Sequence, residues 1–259
     1  MRRRLLVLVI LAATPAAGVA QSPLQTLEGM WSNPPRTIAG TSCAFYCTDV
    51  LLDRLNELID DPANDSKPLS ALSSDASARQ RVYIEGLLTP AAKETYPLDP
   101  ADDPGLLRCE PWGLVRQMFA PHQLEIRARG RDQIELHYGE WDAKRIVHMD
   151  GRPRPAGPAT RLGYSVGRWD GATLVVETSG VSANQAGWNA KHSEQVKVTE
   201  RFTRGADGKT LNLVATIEDP WSLRAPLVAK KIWSWSPTSQ IGAYDACEPP
   251  AAVKKGAGR

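Results

Sequence analysis

Over the second half of the chain, apolar and polar residues alternate one by one. Gln123-Leu-Glu-Ile-Arg-Ala-Arg129 does so strictly and ends at Gly130-Arg-Asp132. Ile134, Leu136 and Tyr138 alternate next, and Lys144 to Met149 closes on Asp150-Gly151. A period of two sends every second side chain to one face, as in a half-buried strand, and Asp-Gly signals a tight turn. The same reading covers Leu162 to Trp169, Thr173 to Ser179 after Asp170-Gly171, Val196 to Thr203, Leu211 to Ile217 after Ala206-Asp-Gly208, and Leu227 to Trp235. Eight or nine short strands joined by hairpin signals describe an antiparallel meander, and closing such a sheet removes its exposed edges. No helix fits between these strands, which excludes a parallel α/β fold. The expected fold is mainly β: an antiparallel up-and-down, lipocalin-like barrel or a curled sandwich, with a helical segment before it.

That segment has helical spacing. Thr48 can cap a helix in which Val50, Leu51, Leu55, Leu58 and Ile59 form one apolar stripe. Residues 61–74 are rich in Asp, Pro and Ser and read as loop, and a second helix is expected over about 76–86. Thr89-Pro90 starts a third, with Thr at the cap and Pro at the first helical position. Residues 21–40 read as an extended leader, Pro97 to Pro104 as a turn-rich linker, and Ala251 to Arg259 as a loose tail. The expected division is a signal peptide over 1–20, leader and helical segment over 21–104, barrel over 105–236 and C-terminal tail over 237–259.

Composition adds a destination. A chain of 259 residues, 42% hydrophobic, suffices for one full-sized domain with a real core. Arg2-Arg-Arg4, the apolar run Leu5 to Ala13 and Gly18-Val-Ala20 before Gln21 make a secretory signal cleaved after Ala20. Pro15 and Gly18 cut that run short of a spanning helix, so no membrane span is expected after cleavage. The formal net charge of +2 owes three arginines to this leader; without it, 28 basic side chains face 29 acidic ones. No basic cluster survives, which argues against a nucleic-acid partner. The destination is periplasmic or secreted, and there Cys43, Cys47, Cys109 and Cys247 become disulfide partners. Three pairings are open on sequence alone. We expect Cys43–Cys47 with Cys109–Cys247, because the second bond closes a long unfolded loop, where chain entropy favours it by ~4–5 kcal/mol.

The chemistry is less marked. There is no Gly-rich phosphate loop, no nucleophile elbow leading into a helix, no His-x-His and no His-Glu-x-x-His. The four histidines are scattered and Cys43/Cys47 lack a second ligand cluster, so neither cofactor nor metal is expected. Polarity in the apolar phase is more telling. Glu200 shares a strand face with Val196, Val198 and Phe202. A carboxylate aimed into an apolar interior must be paired or have a raised pKa. An arginine on a neighbouring strand would make Glu200 a lock; without one it would serve a pocket. His148 falls with Ile146, and Glu177 with Val175, so three acid/base groups lie beside apolar neighbours. His192 follows the loop Asn184 to Asn189, which carries Trp188, and is a candidate general base. Arg201 is a candidate contact for an anionic group, while Tyr164, Ser165, Trp169 and Trp188 are candidate ligand contacts. Gly163, Ser165 and Gly167 leave one strand face nearly bare, open to close packing or to a ligand. Trp233 and Trp235 share a face with Leu227 and Ala229, interrupted by Lys231. His122 and His137, with Glu135 on its polar face, read as surface residues.

The run Gly163-Tyr-Ser-Val-Gly-Arg-Trp-Asp-Gly-Ala-Thr-Leu-Val-Val-Glu-Thr-Ser-Gly180 forms a pattern with His192-Ser-Glu194, Val198-Thr-Glu-Arg-Phe202 and Thr216-Ile-Glu-Asp-Pro220. With Asp150-Gly-Arg-Pro153 and Arg108-Cys-Glu-Pro111, it resembles a large family of exported bacterial proteins, mostly uncharacterised, over roughly residues 87–235. The resemblance implies a signal peptide and a lipocalin-like β-rich body, and brings no established reaction. The family often has Gly-His-Ser where this chain has Gly163-Tyr164-Ser165, so no role of that histidine carries over.

The expected function is an exported, cofactor-independent acid/base enzyme of the isomerase or lyase type, acting on a small apolar or aromatic molecule in a barrel cavity. His192 and His148 would move protons, and Glu200 and Glu177 would orient or polarise. The alternative is a non-catalytic, lipocalin-like protein that binds an apolar small molecule in the same cavity. Nothing in the pattern fixes an oligomeric state.

Overall fold

Nine strands hydrogen-bond into a closed barrel in the computed structural model, which describes residues 22–32, 34, 37–98, 103–185, 190–242 and 247. The expected signal peptide, Trp188 and the tail beyond Cys247 lie outside the described residues. The helices are α1 (Pro23–Leu27), α2 (Ile38–Ser42), α3 (Asp49–Asp60), α4 (Leu69–Leu87), α5 (Pro90–Lys93), α6 (Pro104–Arg108) and α7 (Leu114–Gln117). The strands are β1 (Gly29–Ser32), β2 (Leu124–Ala128), β3 (Gln133–Tyr138), β4 (Ala143–His148), β5 (Tyr164–Asp170), β6 (Thr173–Ser179), β7 (Asn184–Gln185), β8 (Lys191–His192), β9 (Lys197–Arg204), β10 (Thr210–Glu218) and β11 (Leu227–Trp235). The barrel order is β1-β11-β10-β9-β6-β5-β4-β3-β2, returning to β1, while β7 and β8 form a separate hairpin.

The helical segment follows its caps. The Thr48 hydroxyl accepts from the Leu51 amide, and the Thr89 hydroxyl from that of Ala92. Leu51, Leu55 and Leu58 of α3 pack with Leu72 and Ala76 of α4, whereas Ile59 is exposed. α4 begins at Leu69, inside the stretch that composition marks as loop, because Leu72 and Ala76 give it a buried face there. Residues just after 112 are helical too, as α7, before the first of the alternating strands.

The leader differs most from expectation. It holds α1, with a Ser22 capping box, and then β1, which is a barrel strand. β1 pairs with β11 on one side and β2 on the other, aligning Trp31 with both Trp235 and Leu124. A ring of nine strands cannot alternate in direction all the way round, so one neighbouring pair has to be parallel. That pair is β4–β5, with Val147 opposite Ser165 and His148 opposite Val166; the other junctions are antiparallel. The barrel is therefore mixed and not up-and-down throughout. A parallel step cannot be made by a hairpin: the chain must travel back along the barrel first. Residues 149–163 make that return outside the sheet, pinned by the amides of Thr160 and Ser182 bonding to Gly180 and Thr160 carbonyls.

Inward positions are filled by side chains. Trp31, Leu124, Ile126, Leu136, Val147, Leu174, Val176, Phe202, Leu213, Ile217, Leu227 and Trp233 belong to one buried cluster. Gly167 is bare because its neighbours fill the space: a Cβ there would lie 2.6 Å from Val147 Cγ1. The segment from α7 to Gln123 plugs one mouth, burying Met118, Phe119 and Ala120. Two disulfides form, Cys43–Cys47 and Cys109–Cys247. The first holds Cys47 against β11, where Cys47 and Lys230 exchange both backbone hydrogen bonds and extend the sheet beyond the short β1.

The β1 seam rests on a glycine. Gly29 has φ of +127°, and a Cβ would sit 2.3 Å from Cη2 of Trp235, whose ring packs edge-on against Trp31 at 4.9 Å. The Arg204 guanidinium lies over both rings at 5.3 and 5.0 Å. Gly29→Ala is expected to lower unfolding free energy by about 2–4 kcal/mol through strain and overpacking. Urea denaturation checks this; a midpoint equal to wild type would mean that the seam relaxes freely.

Candidate functional site

The acid/base candidates lie in three separate places. Glu200 points into the barrel and is fully buried, and Arg145 of β4 meets it there in a two-pronged ion pair, Nη1–Oε2 2.7 Å and Nη2–Oε1 3.0 Å. Burying two charges costs several kcal/mol per ion, which only such matched geometry offsets. Tyr138 lies in the same interior, with the Arg145 guanidinium 5.8 Å from the centre of its ring. Burial pushes the phenol up, against the pull of Arg145. Ser165 also faces inward, but its hydroxyl is taken by Thr178 Oγ1 at 2.8 Å. Trp169 packs against the main cluster.

Lys231, which interrupts the apolar face of β11, is a second buried charge of the interior and has no counterpart among the expected site residues. It faces inward between Ala229 and Trp233, and its ammonium donates to the Ala120 carbonyl of the plug and sits 4.8 Å from the centre of the Trp233 ring. No carboxylate pairs with it among the described residues, and burial pushes it down from 10.5 to about 7. Arg145 and Lys231 shared one signal: each occupies the apolar phase of its strand, between Ala143 and Val147 or between Ala229 and Trp233.

His192 lies on β8, away from these groups in the sheet order. It is buried, its Nδ1 meets the Ser193 carbonyl at 3.0 Å, and its Nε2 has no hydrogen-bond partner among the described residues. Burial lowers its pKa despite Ser193 and Asp219, favouring the neutral ring. The Ser193 hydroxyl donates to Asp219 at 2.7 Å, and Asp219 also accepts from the amides of Ser193 and Trp221. The serine therefore gives its proton to the acid and not to a histidine, so this cluster ties the hairpin to the end of β10 and lacks the order of a nucleophilic triad.

His148 and Glu177 face outward, and here the structure does assemble a site. His148 stacks on Tyr164 with centroids 4.5 Å apart, and Val166 lies opposite both His148 and Glu177 in the sheet. The returning segment 149–163 stands over this outer face and leaves a groove of about 570 Å³. Tyr164 and Val166 line it, with Arg152, Arg154, Lys197, Glu177 and Glu218 around them. Each cation is held differently. Arg152 pairs with Asp150, and Arg154 donates to the carbonyls of Gly157 and Pro158, both at 2.8 Å. The Tyr164 hydroxyl donates to the Arg152 carbonyl at 3.3 Å, fixing the segment against the floor. Glu177 is exposed, with Arg168 3.9 Å away. Arg201, on the same outer face, pairs with Asp170 at 2.7 Å and does not line the groove.

Two residues read as surface are not. Glu135 and His137 are buried on the outer side of β3. Burial pushes Glu135 up, but hydrogen bonds from Arg127 and Arg129 together bring it below the ordinary value. His137 bridges Asp142 at 2.5 Å and Glu125 at 3.4 Å. His122 is half-exposed and pairs with buried Glu140. No cluster of three or more potential metal ligands occurs among the described residues. No family model matches the chain, and neither does any curated protein.

The interior charges make two predictions. Arg145→Met leaves Glu200 buried without a partner and is expected to lose about 3–5 kcal/mol, whereas Arg145→Met with Glu200→Met recovers most of it. Chemical denaturation of the three proteins checks this, and a double variant as weak as the single would exclude the desolvation account. For Lys231 the folded amine titrates near 7 and the unfolded one near 10.5. Between those values the unfolded chain binds the extra proton, so stability rises with pH there; below the window both states are protonated and the penalty is constant. Lys231→Met removes that rise and is more stable than wild type by a few kcal/mol at about pH 6. Midpoints of urea unfolding at about pH 6 and about pH 9 test it, with equal slopes for both proteins counting against it.

Proposed function

We propose that this chain is an exported, lipocalin-like binding protein of the bacterial family it resembles. Its ligand is a small molecule with an aromatic or apolar body and an anionic group, seated in the groove between segment 149–163 and the outer face of β5, β6 and β9. One observation carries this reading: the parallel step builds a cleft of about 570 Å³ over Tyr164 and Val166, rimmed by the three cations Arg152, Arg154 and Lys197 against the two carboxylates Glu177 and Glu218. That volume falls within the range of small-molecule sites. Tyr164, stacked with His148, supplies an aromatic surface, and Arg154, held by carbonyls and not by a carboxylate, suits with Lys197 a carboxylate or similar group. The two disulfides fit an oxidising compartment, and no described helix is long and apolar enough to cross a membrane.

Binding is favoured over proton transfer by the distribution of the four acid/base groups over three separate places. Glu200 is engaged by Arg145, His192 lies on the β7–β8 hairpin, and His148 and Glu177 share the outer face on either side of Val166. General acid/base catalysis needs its groups within hydrogen-bond reach of one substrate.

Titrating ¹⁵N-labelled mature protein with 2-naphthoate tests the proposal. Saturable shifts are expected at the amides of Tyr164, Val166 and Ser179, with binding at least about tenfold weaker in Tyr164→Ala and in Arg154→Ala/Lys197→Ala, a loss of ~1.4 kcal/mol or more. His192→Ala is expected to bind normally. Shifts absent from the groove, or indifferent to both groove variants, would sink the reading.

A further inference from the structure

Beside the plug lies a second, smaller cavity that shares no lining residue with the groove. Its volume is about 170 Å³, and Phe45, Tyr46, Trp112, Arg116, Phe119, Ala120 and Pro121 line it. We propose that it is a separate binding site, for a planar, uncharged aromatic molecule of one or two rings.

The wall formed by Phe45 and Tyr46 is a made object. The Cys43–Cys47 bond closes the chain on either side of these rings, and Cys47 is fixed to Lys230 of β11 by two backbone hydrogen bonds. Tyr46 packs on Phe119 with centroids 5.4 Å apart, so one aromatic of the pair is anchored in the protein. Phe45 is left 59% exposed. A large apolar ring at the lip of an aromatic cavity sits on a covalently closed loop, whose backbone has already lost part of the freedom that binding would otherwise remove. This is unlike a scattered surface residue, which needs no explanation.

The facing wall determines charge preference. The Arg116 guanidinium lies 3.9 Å above the Trp112 ring, and Asp103 pairs with it at 2.5 Å. The cation is thus engaged on one side by a π-face and on the other by a carboxylate, and it offers no unbalanced charge to a ligand. Tyr46 adds none, since burial pushes its phenol up to about 12. What remains is aromatic surface around a space comparable to the roughly 150 Å³ apolar cavity that takes up benzene in an engineered protein. Aromatic pairs gain beyond their buried area, and Phe45, Tyr46, Trp112 and Phe119 all line this space. The site thus selects against the anionic group for which the groove is suited.

Indole is the probe. Added to the full mature protein with both disulfides intact, it is expected to shift the Phe45 and Ala120 amides and the Trp112 indole N–H saturably, with a dissociation constant below about 1 mM. Phe45 is exposed, so Phe45→Ala should fold normally; it is expected to bind indole at least about tenfold more weakly, and Phe45→Tyr to restore binding. The same Phe45→Ala variant should titrate 2-naphthoate at the groove like wild type, which separates failure here from failure of the groove reading. Indole shifts that are absent from these three positions, or equal affinity in Phe45→Ala, would overturn the proposal.

Discussion

Direction of travel around a closed ring is the constraint on which this molecule turns. Eight strands can alternate and close; nine cannot. By drawing Gly29–Ser32 into the wall, the chain makes the count odd and obliges one junction to run parallel. That junction falls at β4–β5, where no hairpin can serve, and residues 149–163 have to return along the outside. The groove is the space that this return leaves over Tyr164 and Val166. A leader strand of four residues on one side of the barrel thus accounts for a cleft on another. The link between them is topological and needs no contact.

The interior follows a different economy. Lipocalin-type barrels hold a ligand when their inward positions leave room. Here those positions carry Trp31, Trp233, Phe202 and a run of leucines, and the polar groups among them are turned on one another. Arg145 and Glu200 neutralise each other with two hydrogen bonds, and Ser165 and Thr178 share one. Lys231 is the exception, held by one carbonyl of the plug and a tryptophan face. Such an arrangement gives specificity of packing more readily than stability, because each buried polar group excludes every alternative register in which it would lose its partner.

Much of the wall was legible in the sequence because strand alternation is local. Gln123 to Arg129, Thr173 to Ser179 and Leu227 to Trp235 each declare a face without reference to anything distant. β1 was not legible: four residues, Gly-Met-Trp-Ser, are too few to show a period, and only Trp31 marks the inward position. The parallel junction was missed for the same reason, since it is a consequence of the count. Glu200 was readable as inward, but its partner does not come from a neighbouring strand: Arg145 reaches it across the interior from β4, three places away in the barrel order, and carried the matching signal in its own strand, between Ala143 and Val147. His148 and Glu177 were correctly grouped with apolar neighbours, but a period of two cannot say which of two faces is the inside when both bear apolar residues. His137 and Glu135 illustrate the converse, since a polar face can be buried by its own ion pairs.

The Cys109–Cys247 bond adds something that neither strand order nor packing conveys. It turns the chain between those residues into a macrocycle, and every barrel strand except β1 belongs to it. The barrel therefore has two parts of different standing: a ring-closed sheet of eight strands, and a short bolt slid between the edges of β11 and β2. Withdrawing the bolt opens the wall without breaking a covalent bond. It is also the one strand that a copy of this protein can lend to a neighbour while both macrocycles stay intact.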